Sequence, residues 1–542
     1  MLWAGGCYLL LMIVQAIGRY LWRVYLIGTS HLIARSLRLQ LYDHLQHLPL
    51  GYYQKVRTGD LMSRATNDIE SIRMAVGPGI LVALDALFIF IMILPAMFWL
   101  SPKLTLISFV FYPLVPWITA RLGDKIDLLF ERMQTKMSQL SAFTQESFAA
   151  VRLIKSLVLE NRVQERFTRL SHEYEREGIA ASKYQAAFSP LLGLLTNLGI
   201  FLILLAGGYD VIRGAITLGT FVALQRFVVQ LSWPMEAIGW AVTMNKEGVS
   251  ANRRLCEVMQ ASVVQSVRTK AKRSTGSSID KLMEIRGLGH RFSNAETTSG
   301  FALSLPHLGL NPGQKIGLVG SVGSGKTTLF NLILRLYEPP EGTIFWKGVD
   351  VTAIELQTLR SEIASVEQQI FLFSEDITAN IEMGSRVRLS QSDIEKVAQH
   401  ACIYEEIQEL PNGFGTRLGE RGVNLSGGQK QRLALTRALV RQPSLLLLDD
   451  SFSAVDVAVE ERIINHLFEN YSNMAFCFAS HRLSVMPRMD EIWLVEGGGL
   501  LKRGTHSQLL ESDSLYQALW EKSERRTEAE RFELEVEEER IS

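Results

Sequence analysis

Gly320-Ser321-Val322-Gly323-Ser324-Gly325-Lys326-Thr327 fits the spacing G-x-x-x-x-G-K-[ST]. Glycines at these places let backbone N–H groups close around phosphate oxygens, and a helix starting there adds the positive end of its dipole. Lys326 sets a cation against the outer phosphates, the Thr327 hydroxyl can ligate Mg²⁺, and Thr328 is counted with them as nucleotide-binding. Some 120 residues on, Leu445-Leu446-Leu447-Leu448-Asp449-Asp450 is an apolar run ending in two acids. If that run is a buried parallel strand, Asp449 arrives at the same sheet edge as the glycine loop and can share the Mg²⁺. Between them lies Ser426-Gly427-Gly428-Gln429, where a serine and two glycines open a helical pattern. This is a second anion-binding helix start, and one nucleotide needs only one, so the second is expected to serve a nucleotide held by another copy.

The elements that must position these groups follow from the flanks. Lys315–Val319 reads as a strand into the glycine loop and Thr328–Tyr337 as a helix out of it. From 283 to 520 apolar, β-rich runs alternate with helical patterns, which predicts an α/β domain with a mainly parallel sheet. Residues 259–282 are polar, basic and rich in Ser and Gly, a linker, and 521–542 form an almost wholly charged tail, either a solvated helix or disordered, with no function assigned.

Residues 1–258 differ in kind. Apolar runs at about Leu2–Ile27, Gly79–Leu100, Leu104–Ala120, Ala186–Ala206 and Ile216–Val242 are of membrane-spanning length. The stretches between the first and second and between the third and fourth are rich in Lys and Arg, from Arg35 and Arg38 through Arg73 and from Lys125 through Lys183. Cationic loops stay cytoplasmic, so the short connections at Ser101-Pro102-Lys103 and Gly207–Arg213 lie outside. The odd count then puts Met1 outside, although no secretory signal layout precedes it. Over the whole chain of 542 residues, 56 Lys+Arg balance 56 Asp+Glu, which excludes a nucleic-acid binder working by bulk charge, and 47% hydrophobic content excludes a disordered chain. Cys7, Cys256, Cys402 and Cys477 lie far apart, without the spacing of a disulfide framework.

A glycine loop, then LSGGQ at 425–429, then a strand ending in acids resembles the ATP-binding cassette (ABC) superfamily. The resemblance implies roles for further residues: Gln368 as the glutamine that links Mg²⁺ and the attacking water to the membrane domain, and Ser453–Asp456 as the loop that crosses to a partner. It also implies His481 as the switch histidine at the outermost phosphate and Phe292 as the ring that stacks on adenine. Tyr53–Asp68 and Thr144–Glu160 resemble the two cytoplasmic coupling segments of ABC exporters. The fold implied is a helical exporter transmembrane domain followed by an α/β P-loop ATPase domain, closest to bacterial multidrug-resistance-like exporters that work as unlike pairs. With it come ATP and Mg²⁺, a second half-transporter, a lipid bilayer at the bacterial inner membrane, an amphipathic small-molecule cargo, and no nucleic acid. A lipid flippase or peptide exporter is the alternative, and an ATP-gated regulatory subunit a more distant one.

Two departures from the family pattern stand out. Asp450 occupies the place where the family carries the Glu that serves as general base. Asp shortens that arm by about 1.5 Å, and a misplacement near 1 Å can cost about a hundredfold in rate. Slow hydrolysis on this chain's own loop is expected, and with it a heterodimer whose partner carries Glu; a homodimer using Asp as a slower base is the alternative. Secondly, the family has six spans per half with both ends inside, so five imply a missing first helix and outer loop of roughly 45 residues, with a true five-span transporter as the alternative. Within the spans, Asp85, Arg226 and Glu236 are expected to line a cavity, because buried charge in a membrane is costly.

Overall fold

The computed structural model describes residues 2–111, 114–263, 281–291, 302–419 and 422–525. It divides into two units, residues 1–46 with 57–261, and residues 47–56 with 262–542.

The first unit is helical. α1 (Leu2–Gln46) is a 45-residue helix. At 1.5 Å per residue it runs about 68 Å, roughly twice the bilayer's apolar thickness. The first apolar run is therefore only one half of a longer helix, and the expected cytoplasmic loop after it begins as a stem carrying Arg35 and Arg38. After α2 (Leu50–Lys55), which groups with the other unit, come α3 (Thr58–Ser63), α4 (Ile69–Met74) and α5 (Ile80–Leu100). These three form one helical path interrupted by π turns at Arg64–Asp68 and Ala75–Gly79. The second π turn is tightly packed: a Cβ on Gly77 would stand 2.6 Å from Ser30 Oγ, and one on Gly248 2.4 Å from the Ala75 Cβ. α6 (Pro102–Ser108) is capped by Ser101 and leads through a 3₁₀ turn, Phe109–Phe111, towards α7 (Leu114–Ala149). α8 (Val151–Ser156), α9 (Glu160–Ile212) and α10 (Leu218–Met259) complete the unit.

Helical segments Gly5–Gln46, Thr58–Leu100 and Gly193–Ile212 are long and apolar enough to cross a membrane. The expected span Leu104–Ala120 runs through 112–113, which lie outside the described residues. The expected run Ile216–Val242 is helical within α10, but Gln225, Arg226, Gln230 and Ser232 dilute it. Asp85 is half-buried on α5 and Arg226 exposed on α10, and the side chain of Glu236 lies outside the described residues. Among the described residues, the acids this unit buries are others. Asp210 accepts from Lys103 Nζ at 3.0 and 2.9 Å, and Asp68 is paired with Arg254 at 2.5 and 3.0 Å. The sequence scan misses both because each acid lies beyond an apolar run and its partner is far along the chain.

The second unit is the α/β domain. β1 (Met283–Ile285), β2 (Leu288–Arg291), β3 (Ala302–Leu305), β4 (Leu308–Leu310) and β5 (Lys315–Val319) precede α11 (Lys326–Ile333). Then come β6 (Ile344–Trp346), β7 (Val349–Asp350), α12 (Leu356–Glu362) and β8 (Ile363–Val366). A helical insertion follows, α13 (Ile377–Glu382), α14 (Gln391–His400), α15 (Tyr404–Gln408) and α16 (Gly427–Leu439). The domain closes with β9 (Leu445–Asp449), α17 (Val457–Asn470), β10 (Ala475–Ala479), β11 (Glu491–Glu496), β12 (Gly499–Gly504) and α18 (His506–Ser512).

One sheet, β4-β1-β6-β7, is antiparallel; the other runs β2-β3-β12-β11-β5-β10-β9-β8. Within it β11, β5, β10, β9 and β8 are mutually parallel. β9 and β10 are buried at every residue, which is why they read as unbroken apolar runs rather than as alternation. Residues 514–525 are helical, and the Ser523 hydroxyl accepts from the Leu483 N–H at 2.8 Å. The first residues of the charged tail are thus docked through Ser523, one small polar residue on the buried side of that helix; 526–542 lie outside the described residues.

Candidate active site

Parallel pairing decides what meets at the sheet edge. Ala479 pairs with both Leu318 and Asp449, and Val366 with Leu448. The chain therefore leaves β5, β9, β10 and β8 on one edge, carrying the glycine loop, the two acids, His481 and Gln368 respectively. This is where ligands bind in open parallel sheets.

The glycine loop is shaped by backbone geometry only glycine adopts readily. Gly323 has φ +83° and Gly325, the residue that opens α11, φ +104°. Gly320 is needed for a different reason: a Cβ there would sit 2.0 Å from the Val495 carbonyl oxygen. Lys326 is buried, its ammonium donating to the carbonyls of Gly320 and Ser321 at 2.8 Å each and to Ser324 Oγ at 3.4 Å. Burial lowers its pKa, countered in part by Asp449, Asp450 and Glu496. The Thr327 hydroxyl donates to Asp449 Oδ2 at 2.6 Å, so the two oxygens proposed for the metal already converge. Asp449 is buried, and burial raises its carboxyl pKa against the opposing pull of Thr327 and Lys326. Two hard oxygens at a carboxylate that is costly to leave ionised form a donor set that fits Mg²⁺. Ser321 Oγ also donates to Glu496 at 2.7 and 2.8 Å, a tie from the loop to β11 that no motif announces.

Asp450 is in the left-handed region, φ +49°, where Asp is tolerated better than most residues. Its N–H donates to the Ala479 carbonyl at 2.7 Å, and its Oδ1 accepts from the His481 N–H at 3.5 Å. His481 and Gln368 are exposed at the edge, Thr328 is half-buried, and Phe292 lies outside the described residues.

Ser426–Gln429 does not belong to the sheet edge. It begins α16, with Ser426 as N-cap in a reciprocal box: Ser426 Oγ accepts from Gln429 N at 3.2 Å and Ser426 N donates to Gln429 Oε1 at 2.8 Å. Behind it, Gln431 Nε2 donates to Ser453 Oγ and Gln431 Oε1 accepts from Ala454 N, both at 2.9 Å. Arg482 donates to the Val455 carbonyl at 2.8 Å. The second helix start, the 453–456 loop and the loop bearing His481 are thereby one hydrogen-bonded unit. Sequence reading gave Gln431 and Arg482 no role, although each lies within two residues of a position it had marked.

Comparison with known proteins decides the family. The ABC transporter transmembrane region matches residues 2–235, and the ABC transporter family matches 303–453. The chain is 32% identical to the multidrug resistance-like ATP-binding protein MdlA of Escherichia coli over 525 residues, 96% of this chain and 87% of that one.

The chain belongs to the ABC transporter family.

The MdlA of Buchnera aphidicola from Schizaphis graminum is likewise 32% identical, across 97% of this chain and 89% of its own length. An ATP-dependent lipid A-core flippase of Vibrio vulnificus is 29% identical over 94% of this chain and 86% of its own. Among solved structures, a bacterial Atm1-family ABC exporter with ATP bound superposes with a TM-score of 0.75 at 24% identity, covering 96% of this chain and 92% of that one, which shows the fold. As an ABC exporter the protein couples ATP hydrolysis to transport, works as a dimer in lipid, and resides in the bacterial inner membrane with its ATPase domain in the cytoplasm.

Proposed function

We propose that the chain is one half of an exporter for hydrophobic or amphipathic compounds, and that its own glycine loop holds ATP but hydrolyses it slowly. The observation that carries this is Asp450: a short carboxylate on left-handed backbone, already accepting from the His481 N–H. Glu would reach about one methylene further toward an attacking water. Lys326 and the amides from Gly323 to Thr328 bind and orient the phosphates; Thr327, Asp449 and Gln368 would hold the Mg²⁺, which neutralises phosphate charge when bound. The Ser426–Gln429 helix start would complete the nucleotide site of a partner that supplies Glu, and that partner is a different half-transporter.

One similarity and one feature of the structure support a multidrug type of cargo. The MdlA relatives are named multidrug resistance-like. A groove of about 480 Å³ between the Ala75–Phe90 path and α10 is lined by Ala83, Leu87, Phe90, Ile238 and Val242, with Asn245 as a polar group. Apolar contacts of this kind discriminate only weakly between greasy molecules of similar size. The Vibrio flippase keeps lipid export as the second reading.

The test is ATPase of the chain purified alone and with its partner. Asp450→Glu should raise turnover at this chain's loop by up to about a hundredfold. Brisk ATPase of the chain alone, abolished by Asp450→Asn, would show instead a homodimer using Asp as its base.

A further inference from the structure

The start of α16 is held from outside by a residue belonging to no motif. Glu406, on α15, accepts from Gln429 Nε2 at 3.0 Å. The same carboxylate takes a two-pronged pair of bonds from Arg432, NH1 to Oε1 at 2.6 Å and NH2 to Oε2 at 2.9 Å. Arg432 NH1 also donates to the Cys402 carbonyl, and its Nε to the Gly428 carbonyl at 3.3 Å. One carboxylate therefore grips the first and second turns of α16 together.

The grip has two consequences. The Gln429 carboxamide must present Oε1 to the Ser426 N–H; turned over, it would set donor against donor there and lose Glu406 as well. Glu406 excludes that rotamer, because only the amide nitrogen can satisfy it. The second consequence is electrostatic. A bare carboxylate beside a helix N-terminus would repel an incoming phosphate, but Arg432 neutralises this one in the geometry at which Arg–carboxylate pairs are strongest. Burial would raise the Glu406 pKa, yet the bonds from Arg432 and Gln429 hold it below its ordinary value. Among the described residues, the Gly427–Gly428 helix start is thereby spared an unpaired carboxylate at its back.

We propose that Glu406 is a positioning residue that sets the Ser426–Gln429 helix start for the phosphates of a nucleotide on the opposite half. This rests on the reading that the helix start serves the other half's nucleotide. It adds the residue that fixes that surface's geometry and charge.

The experiment uses the full transporter, purified from its native membrane through a tag on this chain so that its second half comes with it. Vanadate trapping of 8-azido-ATP reports closure around nucleotide, and binding of a fluorescent ATP analogue with a melting curve reports the integrity of this chain's own loop. Glu406→Ala should cut trapping by about tenfold or more, as expected for losing hydrogen bonds to charged groups, and raise KM for ATP. Melting should drop by about a few degrees because buried Arg432 loses its partner, while analogue binding stays as in wild type and Glu406→Asp recovers part of the trapping. Normal trapping in Glu406→Ala overturns the proposal. So does a loss of trapping that comes with lost analogue binding, since that marks a purely structural role. Ser426→Asp keeps a good N-cap but puts a charge in the cradle. If Ser426→Asp traps normally, the cross-dimer reading fails, whatever Glu406→Ala does.

Discussion

The ATPase domain contains two helix starts built to meet phosphate, and they are equipped differently. The glycine loop before α11 carries a lysine folded into it and a hydroxyl already joined to a buried acid, Thr327 to Asp449 at 2.6 Å. Among the described residues, the start of α16 shows no lysine folded into it and no hydroxyl joined to a buried acid. Its serine and glutamine satisfy each other, and Glu406 and Arg432 support it from behind. The same backbone device thus serves two purposes. On the proposed reading, the loop in one brings its own charge and metal ligands, while in the other a surface paired from behind would present amides to charge and metal supplied by another chain.

Variants can break that contrast. The largest effect is expected from Lys326→Ala, which removes the loop's cation; nucleotide affinity at this chain's own site should fall on the order of a hundredfold, since hydrogen bonds to charged groups are the strong class. Titration with a fluorescent ATP analogue measures this. Affinity that survives the change would mean that backbone amides alone suffice, and the two starts would then be alike. Gly428→Ala acts on the other side. Its new Cβ would stand 2.8 Å from the Ala454 carbonyl oxygen, prying α16 from the 453–456 loop. A cost of about 1–3 kcal/mol is the usual scale for overpacking, read by melting, with a drop in trapping at the opposite half. Ser426→Ala should do least, costing about 1 kcal/mol of stability through loss of the N-cap. If it cost nothing, the Ser426–Gln429 box would not hold the helix end, and Glu406 would be acting alone.

How much of this was legible beforehand depended on chain distance. Gly320–Thr327, Asp449 and Ser426–Gln429 announce themselves because backbone geometry and phosphate chemistry restrict residue types within a few consecutive positions. β9 and β10 were legible because a strand buried on both faces must be apolar throughout. The extent of the membrane helices was not, because α1 passes from apolar to charged composition without a break in its helix. Arg254 with Asp68, Lys103 with Asp210 and Glu406 with Gln429 gave no local signal. Each pair is joined across 23 residues or more by packing alone.

By itself the sequence determined the chemistry available: a phosphate loop, two acids, a second helix start, membrane-length apolar runs, and an Asp where the family has Glu. Those are constraints among neighbours, written in residue types and short spacings. Only the tertiary structure decided which groups meet. Parallel register gathers Lys326, Asp449, Asp450, His481 and Gln368 on one edge, and the fold of the helical insertion sets Glu406 against α16. Contacts between distant segments are fixed by strand order and helix packing, which burial of the whole chain selects and no short window of sequence contains.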